Sequence, residues 1–263
     1  MRRRGYTPES LRLFADRIGV SKADSWIDYS VLEQALRDDL DARAQRAMAV
    51  LDPLRLVLTN WVEVFGSVVH AEPCSAPAHP AHPEMGRRNF DLTHELWIER
   101  EDFMEVPPKG YHRLTPGGLA RLKYGYVIRC TGCEKDADGR VTKVLAELLP
   151  DTKSGTPGAD AVKVKGVITW VSASRGAAAQ VRLFDRLFSE AHPDAGGRDF
   201  LSVLNPRSKQ TVQAYVEPGL ADVAPGTSYQ FERHGYFVAD RKDHAPGQPV
   251  FNRTTTLKDS WGR

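Results

Sequence analysis

The spacing of hydrophobic positions changes once along the chain, near residue 46. Before that point it is helical. Thr7-Pro8-Glu9 offers an N-cap, a proline at the first helical position and an early acid, as helix starts prefer. Leu11, Phe14, Ala15 and Ile18 then fall on one face, and Gly19 marks a stop. A second helix is expected to open at Ser30, with Glu33 three residues on as a capping box. Leu32, Leu36 and Leu40 would form its buried stripe.

After Arg46 the period becomes two. Leu54, Leu56 and Leu58 alternate with Arg55 and Val57, which predicts a strand with one buried face over 54–64. Similar short runs recur at 95–99, 124–130, 141–149, 164–173, 181–188, 211–216, 229–238 and 250–256. Pairs such as Asp138-Gly139, Pro218-Gly219 and Pro225-Gly226 punctuate the gaps. About nine short strands between turn signals predict antiparallel barrels or sandwiches. Long helices do not alternate with strands, which argues against a nucleotide-binding α/β sheet. Residues 71–83 (AEPCSAPAHPAHP) carry four prolines and predict a loop or polyproline stretch, not a central strand.

Composition narrows the class. At 263 residues, 41% hydrophobic, the chain can bury a core without disulfide or metal staples. No run approaches the ~18 apolar residues of a membrane span. The start, MRRRGY, has no apolar stretch behind its charges and does not read as a signal peptide. Three cysteines fit a reducing compartment, so a cytoplasmic protein is expected. Thirty-six Lys plus Arg against 34 Asp plus Glu give a net charge of only +2, so any nucleic-acid binding must rest on local arrangement.

Candidate chemistry is sparse. Cys130-x-x-Cys133, with Cys74, His70, His79 and His82 elsewhere, supplies too few ligands at fixed spacing for a zinc site, so no metal is expected. A charged turn follows the pair where a redox motif would want a helix start. There is no G-x-S-x-G elbow, H-E-x-x-H or phosphate-binding G-x-x-x-x-G-K-[ST]. The informative stretch is 109–129. It holds Lys109, Arg113, Arg121, Lys123 and Arg129, no acid, and Tyr111, Tyr124 and Tyr126 between them. Cations neutralise phosphates, and tyrosines offer faces to unstacked bases. A solvated strand face with core tyrosines fits the same string.

Several strings in one order then carry a resemblance. They are RRRGYTPESL at 2–11, IGVSKAD at 18–24, RAMAVLDPLRLVLTN at 46–60, HPEMGRR at 82–88, VKGVITWVSA at 164–173, VRLFDRLF at 181–188, DFLSVLNP at 199–206, YQFERHGYF at 229–237 and PVFNRTTTLKDSW at 249–261. Together they resemble the glutaminyl-tRNA synthetase family downstream of its catalytic core. The resemblance implies a mainly β fold: a helical subdomain at 1–45, a proximal anticodon-binding β-barrel from 46–93 and 161–263, and a distal barrel at 94–160 inserted in it. It also implies a C-terminal piece, because the family's ATP-binding signatures do not occur here. The piece itself would be inactive and hold no cofactor. The full-length parent would join glutamine to its tRNA using ATP and magnesium.

By the same resemblance Arg46, Gln230 and Arg233 serve the middle anticodon base, a uridine. Arg113 serves the third base, and Arg121 with Lys123 the first. Arg3, Arg4 and Lys109 are candidates for the tRNA backbone. Gly110, His112, Ala81 and Lys123 depart from the residues the family often has there, which weakens the carry-over at the first and third bases. Residues 189–199 match a loop that in the family faces the catalytic core. The implied partners are glutamine tRNA and that core, with no membrane, in a monomer. Other readings are a structural RNA-binding module related to a 5S-RNA-binding ribosomal protein, a glutamyl-type synthetase region, and a docking piece whose Leu11, Phe14 and Ile18 face packs on a core outside the chain.

Overall fold

A computed structural model describes residues 1–22 and 25–258. The tails of two of the strings above, 23–24 and 259–261, lie outside the described residues. The fold is mainly β, 21% helix and 36% strand, with two nearly closed barrel-like sheets. Helices α1 (Pro8–Ile18) and α2 (Tyr29–Arg43) precede strands β1 (Gln45–Ala47), β2 (Ala49–Val50) and β3 (Pro53–Leu58). Helix α3 (Trp61–Phe65) follows, then β4 (Glu72–Pro77), β5 (Arg87–Leu92), β6 (Glu95–Glu99), β7 (Leu119–Leu122), β8 (Val127–Lys135) and β9 (Val141–Leu148). The remaining strands are β10 (Val167–Ile168), β11 (Trp170–Ser172), β12 (Ala177–Phe184), β13 (Lys209–Val216), β14 (Ser228–Phe231), β15 (Gly235–Ala239) and β16 (Val250–Thr255).

The chain forms two compact units. The first contains residues 1–47, 179–212 and 222–263, and the second 48–178 and 213–221. In the first, α1 starts as its sequence dictates: Thr7 Oγ1 accepts from Ser10 N at 3.1 Å, with Pro8 at the first position. Helix α2 starts earlier than the Ser30–Glu33 box predicts. Asp28 is the cap, its carboxylate accepting from Ser30 N at 2.7 Å. A charged acceptor two residues upstream outcompetes the hydroxyl. Leu32, Leu36 and Leu40 bury against Tyr6, Ala44 and Tyr236, and Phe14 packs there too, while Leu11 and Ile18 remain exposed. The sheet of this unit runs β1-β14-β15-β16-β12-β13, with β1–β14 and β12–β16 parallel and β14–β15 and β15–β16 antiparallel.

The run 229–238 is two strands, not one. The chain reverses at Glu232–His234, with Arg233 at φ 74°. Gly235 makes the return possible: a Cβ there would stand 2.4 Å from the Thr255 carbonyl oxygen.

The second unit carries the sheet β10-β7-β8-β9-β3-β6-β11, with β3–β9 and β10–β7 parallel. Strand β3 alternates strictly, burying Leu54, Leu56 and Leu58. The strand predicted over 54–64 stops there. Asn60 bonds both the carbonyl and the N–H of Leu148, and Trp61 and Phe65, four apart, then turn inward as α3. The proline-rich stretch also departs from expectation. Residues Glu72–Pro77 pair with β5 in a two-stranded ribbon, where prolines face an unpaired side. The strand expected from 124 begins at Val127, because Tyr124, at φ 62°, sits in a tight turn closed by Gly125 N to Leu122 O.

Candidate nucleic-acid interface

In the first unit, β1 and β14 run parallel with Arg46 opposite Gln230. Arg46 is 8% exposed. Its guanidinium donates to the Ala44 carbonyl at 2.7 Å, and to the Asp41 carbonyl and carboxylate at 3.2 and 2.7 Å. Those bonds fix the plane of the fork and leave at least two of its five N–H groups unspent. Tyr236 joins the cluster, its hydroxyl donating to Asp41 Oδ1 at 3.0 Å. The hydroxyl must therefore accept from Gln230 Nε2, at 2.9 Å. This orients the amide and leaves the Gln230 carbonyl oxygen as an acceptor. Burial, reinforced by Asp41, pushes the Tyr236 phenol up to about 12, so the relay keeps its proton at neutral pH. Arg233, half-buried, lies in the turn that follows.

Asp41 and Tyr236 are the residues that sequence reasoning missed. Asp41 lies at the end of a charged helix, where carboxylates are ordinarily solvated. Tyr236 is one of five consecutive buried residues of β15 and reads as ordinary core. The one local signal is the five-residue step from Asp41 to Arg46 across a helix end.

Arg3 and Arg4, in the same unit, are already engaged. Arg3 grips Asp240 with Nε at 2.8 Å and Asp243 with Nη2 at 2.6 Å. Arg4 donates to the Thr254 carbonyl at 3.2 Å and lies over the rings of Tyr6 and Phe184. It also lines a cleft of about 470 Å³ with Trp26, Tyr29, Arg186 and Phe188. Within 189–199, Arg198 pairs with Glu190, and His192 contacts the exposed Trp26 ring at 4.3 Å.

The second unit holds the other candidates. Arg113 Nε donates to Asp102 at 3.1 Å, and Asp102 is fully buried. Lys109 is exposed in the preceding loop. Lys123 sits in the β7–β8 turn with Nζ 5.2 Å from the Tyr124 ring centre, and its carbonyl accepts from Trp170 Nε1 at 2.9 Å. Arg121 is spent on its own fold. Its guanidinium donates to the carbonyls of Thr152, at 2.7 Å, and Ala159. Gly125 O and Ser154 Oγ lie at 3.4 Å. Arg121→Ala is therefore expected to lower stability by about 2 kcal/mol, the scale of lost charge-assisted bonds. Urea unfolding midpoints check it, and an unchanged midpoint would show that the clamp is idle. Tyr126 is buried, its hydroxyl on Glu72 at 3.0 Å, and Tyr111 bonds the Glu101 carbonyl.

The cysteines do not gather. Cys74 and Cys130 are buried in β4 and β8, and Cys133 is half-buried. Burial pushes the Cys74 thiol up to about 11. Among the described residues no group of three or more His, Cys, Asp or Glu is placed to hold a metal ion. No described helix is long and apolar enough to cross a membrane.

Two barrel-like sheets carry the candidate residues, Arg46 and Gln230 on the first and Arg113 and Lys123 in the unit of the second, and comparison with known families gives the class. Two sequence models, each described as the anticodon-binding domain of class I tRNA synthetases (E and Q), match residues 44–149 and 167–240. Between them they span more than half of the chain, which belongs to this anticodon-binding family. Among curated relatives, the Glutamine--tRNA ligase of Cupriavidus metallidurans is 66% identical over 263 residues, covering 100% of this chain and 44% of that protein. The ligase of Ralstonia nicotianae is 65% identical with the same coverage, and that of Bordetella pertussis 62% over 261 residues. The chain thus spans less than half the length of the relatives it matches.

Proposed function

We propose that this chain reads the anticodon of glutamine tRNA for a glutamine–tRNA ligase. The observation that carries the reading is the Arg46–Asp41–Tyr236–Gln230 cluster, with Arg46 and Gln230 facing each other in register. A uracil presents two carbonyl acceptors flanking one N–H donor on its pairing edge. The unspent Arg46 N–H groups and the Gln230 carbonyl supply the complementary pattern, and both are held in place before RNA arrives. Arg233 in the adjacent turn joins them. Arg113 and Lys123 act on flanking bases through the second unit, and Lys109 on backbone phosphate. Arg121, Arg3 and Arg4 act chiefly by holding the fold. The functional division is a helical subdomain at 1–45, a proximal barrel of 46–93 with 161–263, and a distal barrel of 94–160. The ligase as a whole attaches glutamine to its tRNA in the cytoplasm using ATP and magnesium, chemistry that belongs to the region of the relatives outside this chain.

Arg46→Ala is expected to weaken binding of a glutamine-tRNA anticodon stem-loop by about 5- to 150-fold, the 1–3 kcal/mol of a base-reading arginine. The wild-type chain should lose a similar factor when the middle base is changed, and Arg46→Ala should lose little more. Equal affinity of the wild type for both stem-loops would overturn the reading.

A further inference from the structure

One end of the second unit's sheet holds a cleft of about 420 Å³ that none of the assigned residues touches. This lies within the roughly 300–1,000 Å³ range of small-molecule sites. Arg55, Val68, Val69, His94, Glu95 and Arg175 shape it. Arg55 projects from the outer face of β3, directly opposite Trp97 of β6. Its guanidinium lies 4.3 Å from the Trp97 ring, and that ring system also stacks on Tyr215 at 4.4 Å and 12°. Arg55 lines the cleft, and Trp97 backs it without lining it. An ion pair with Glu95 holds Arg55 in this plane and neutralises its charge. The result is a flat, rigid, nearly neutral platform.

The charge of the cleft then comes from Arg175. Its side chain is exposed, and neither it nor His94 makes a side-chain hydrogen bond or ion pair within the described protein. In the same lining Val68 and Val69 are 53% and 83% exposed, apolar surface with no covering. A flat polarizable platform, apolar surface, one unpaired guanidinium and one unpaired imidazole, His94 (the other, His70, is on Glu72), form a combination with a specific match. Planar heterocycles stack on guanidinium planes, and phosphates take charge-assisted bonds from arginine.

We propose that this cleft is a nucleotide site: the base lies between the Arg55 plane and Val68–Val69, and the phosphate lies on Arg175 and His94. The nucleotide is either one unit of bound RNA, which rests on the function proposed above, or a free mononucleotide.

The test uses the whole chain with adenosine 5′-monophosphate as probe, followed by the His94 imidazole resonances. The nucleotide should shift them at several-fold lower concentration than adenosine or inorganic phosphate alone. Arg175→Glu, at an exposed position, should weaken the response by about tenfold, one charge-assisted contact. Val69→Asp should weaken it as well. No response to the nucleotide, or an equal one in Arg175→Glu, overturns the proposal. The anticodon stem-loop then identifies the source. Competition with the nucleotide, and a salt slope reduced by about 0.7 in Arg175→Ala, assigns the site to bound RNA. Stem-loop binding without competition assigns it to free nucleotide. A stem-loop insensitive to its middle base defeats the anticodon reading but leaves the mononucleotide result standing, so the two failures are distinguishable.

Discussion

Trp170→Ala is expected to destabilise the protein by about 3–5 kcal/mol, the scale of deleting a buried indole. Trp170 is 1% exposed and meets Phe90 edge-on, with ring centres 5.5 Å apart. Its Nε1 also holds the Lys123 carbonyl at 2.9 Å, so one side chain fills the core and pins the β7–β8 turn. Trp170→Phe separates the two roles. It keeps most of the volume and loses the hydrogen bond, at about 1 kcal/mol. The truncation should show a lower chemical-denaturation midpoint with an unchanged slope. If Lys123 reads RNA from a fixed turn, Trp170→Phe should weaken stem-loop binding while the protein stays folded. Full affinity in that variant would mean the turn needs no pinning.

Asp240→Asn is the second large effect, about 3 kcal/mol at neutral pH, the lower end for breaking a buried ion pair because Arg3 remains half in water. Asp240 is fully buried. Burial alone would raise its pKa, yet Arg3, the N–H groups of Lys242 and Asp243, and Asn252 hold its carboxyl well below the usual range. Arg182 adds a second guanidinium at 3.3 Å. A carboxyl held low in the folded state stabilises fully above its unfolded value of about 3.9, and that stability is lost as pH falls through the folded value. The wild type should therefore lose stability below about pH 4, and the gap to Asp240→Asn should narrow on acidification. Denaturant midpoints of both proteins at pH 7 and pH 3 check the sign. A gap that widens in acid would refute the assignment.

What the sequence reveals follows from how local each determinant is. The Thr7 cap, the Gly19 stop and the alternation of β3, β6 and β9 are written in adjacent residues, and they fold as written. The hairpin of β14 and β15 reads as one strand because its turn, Glu232-Arg233-His234, lacks the Asn or Gly that usually announces one. The β4 ribbon is hidden by prolines that an isolated pair tolerates and a central strand does not. The candidate site divides in the same way. Arg46 and Gln230 come from motif resemblance. Their holders, Asp41 and Tyr236, are separated by 195 residues, and no local pattern links them. Arg121 shows the converse. In sequence it is one cation of a basic stretch, and only the fold reveals the backbone carbonyls of Thr152 and Ala159 that take up its hydrogen bonds.

The interleaving of the two compact units has a consequence for biosynthesis. The second unit is nearly complete once residue 178 has been made, lacking only 213–221. The first unit is not. Strand β1, finished at Ala47, must wait for β14 at Ser228–Phe231 before it has a neighbour, and β15 and β16 come later still. Long-range parallel pairing of this kind is slow, because loop closure must precede any gain from contact. On the ribosome the strand that carries Arg46 therefore stays unpaired while most of the chain emerges, and the Arg46–Gln230 pairing is among the last features to form.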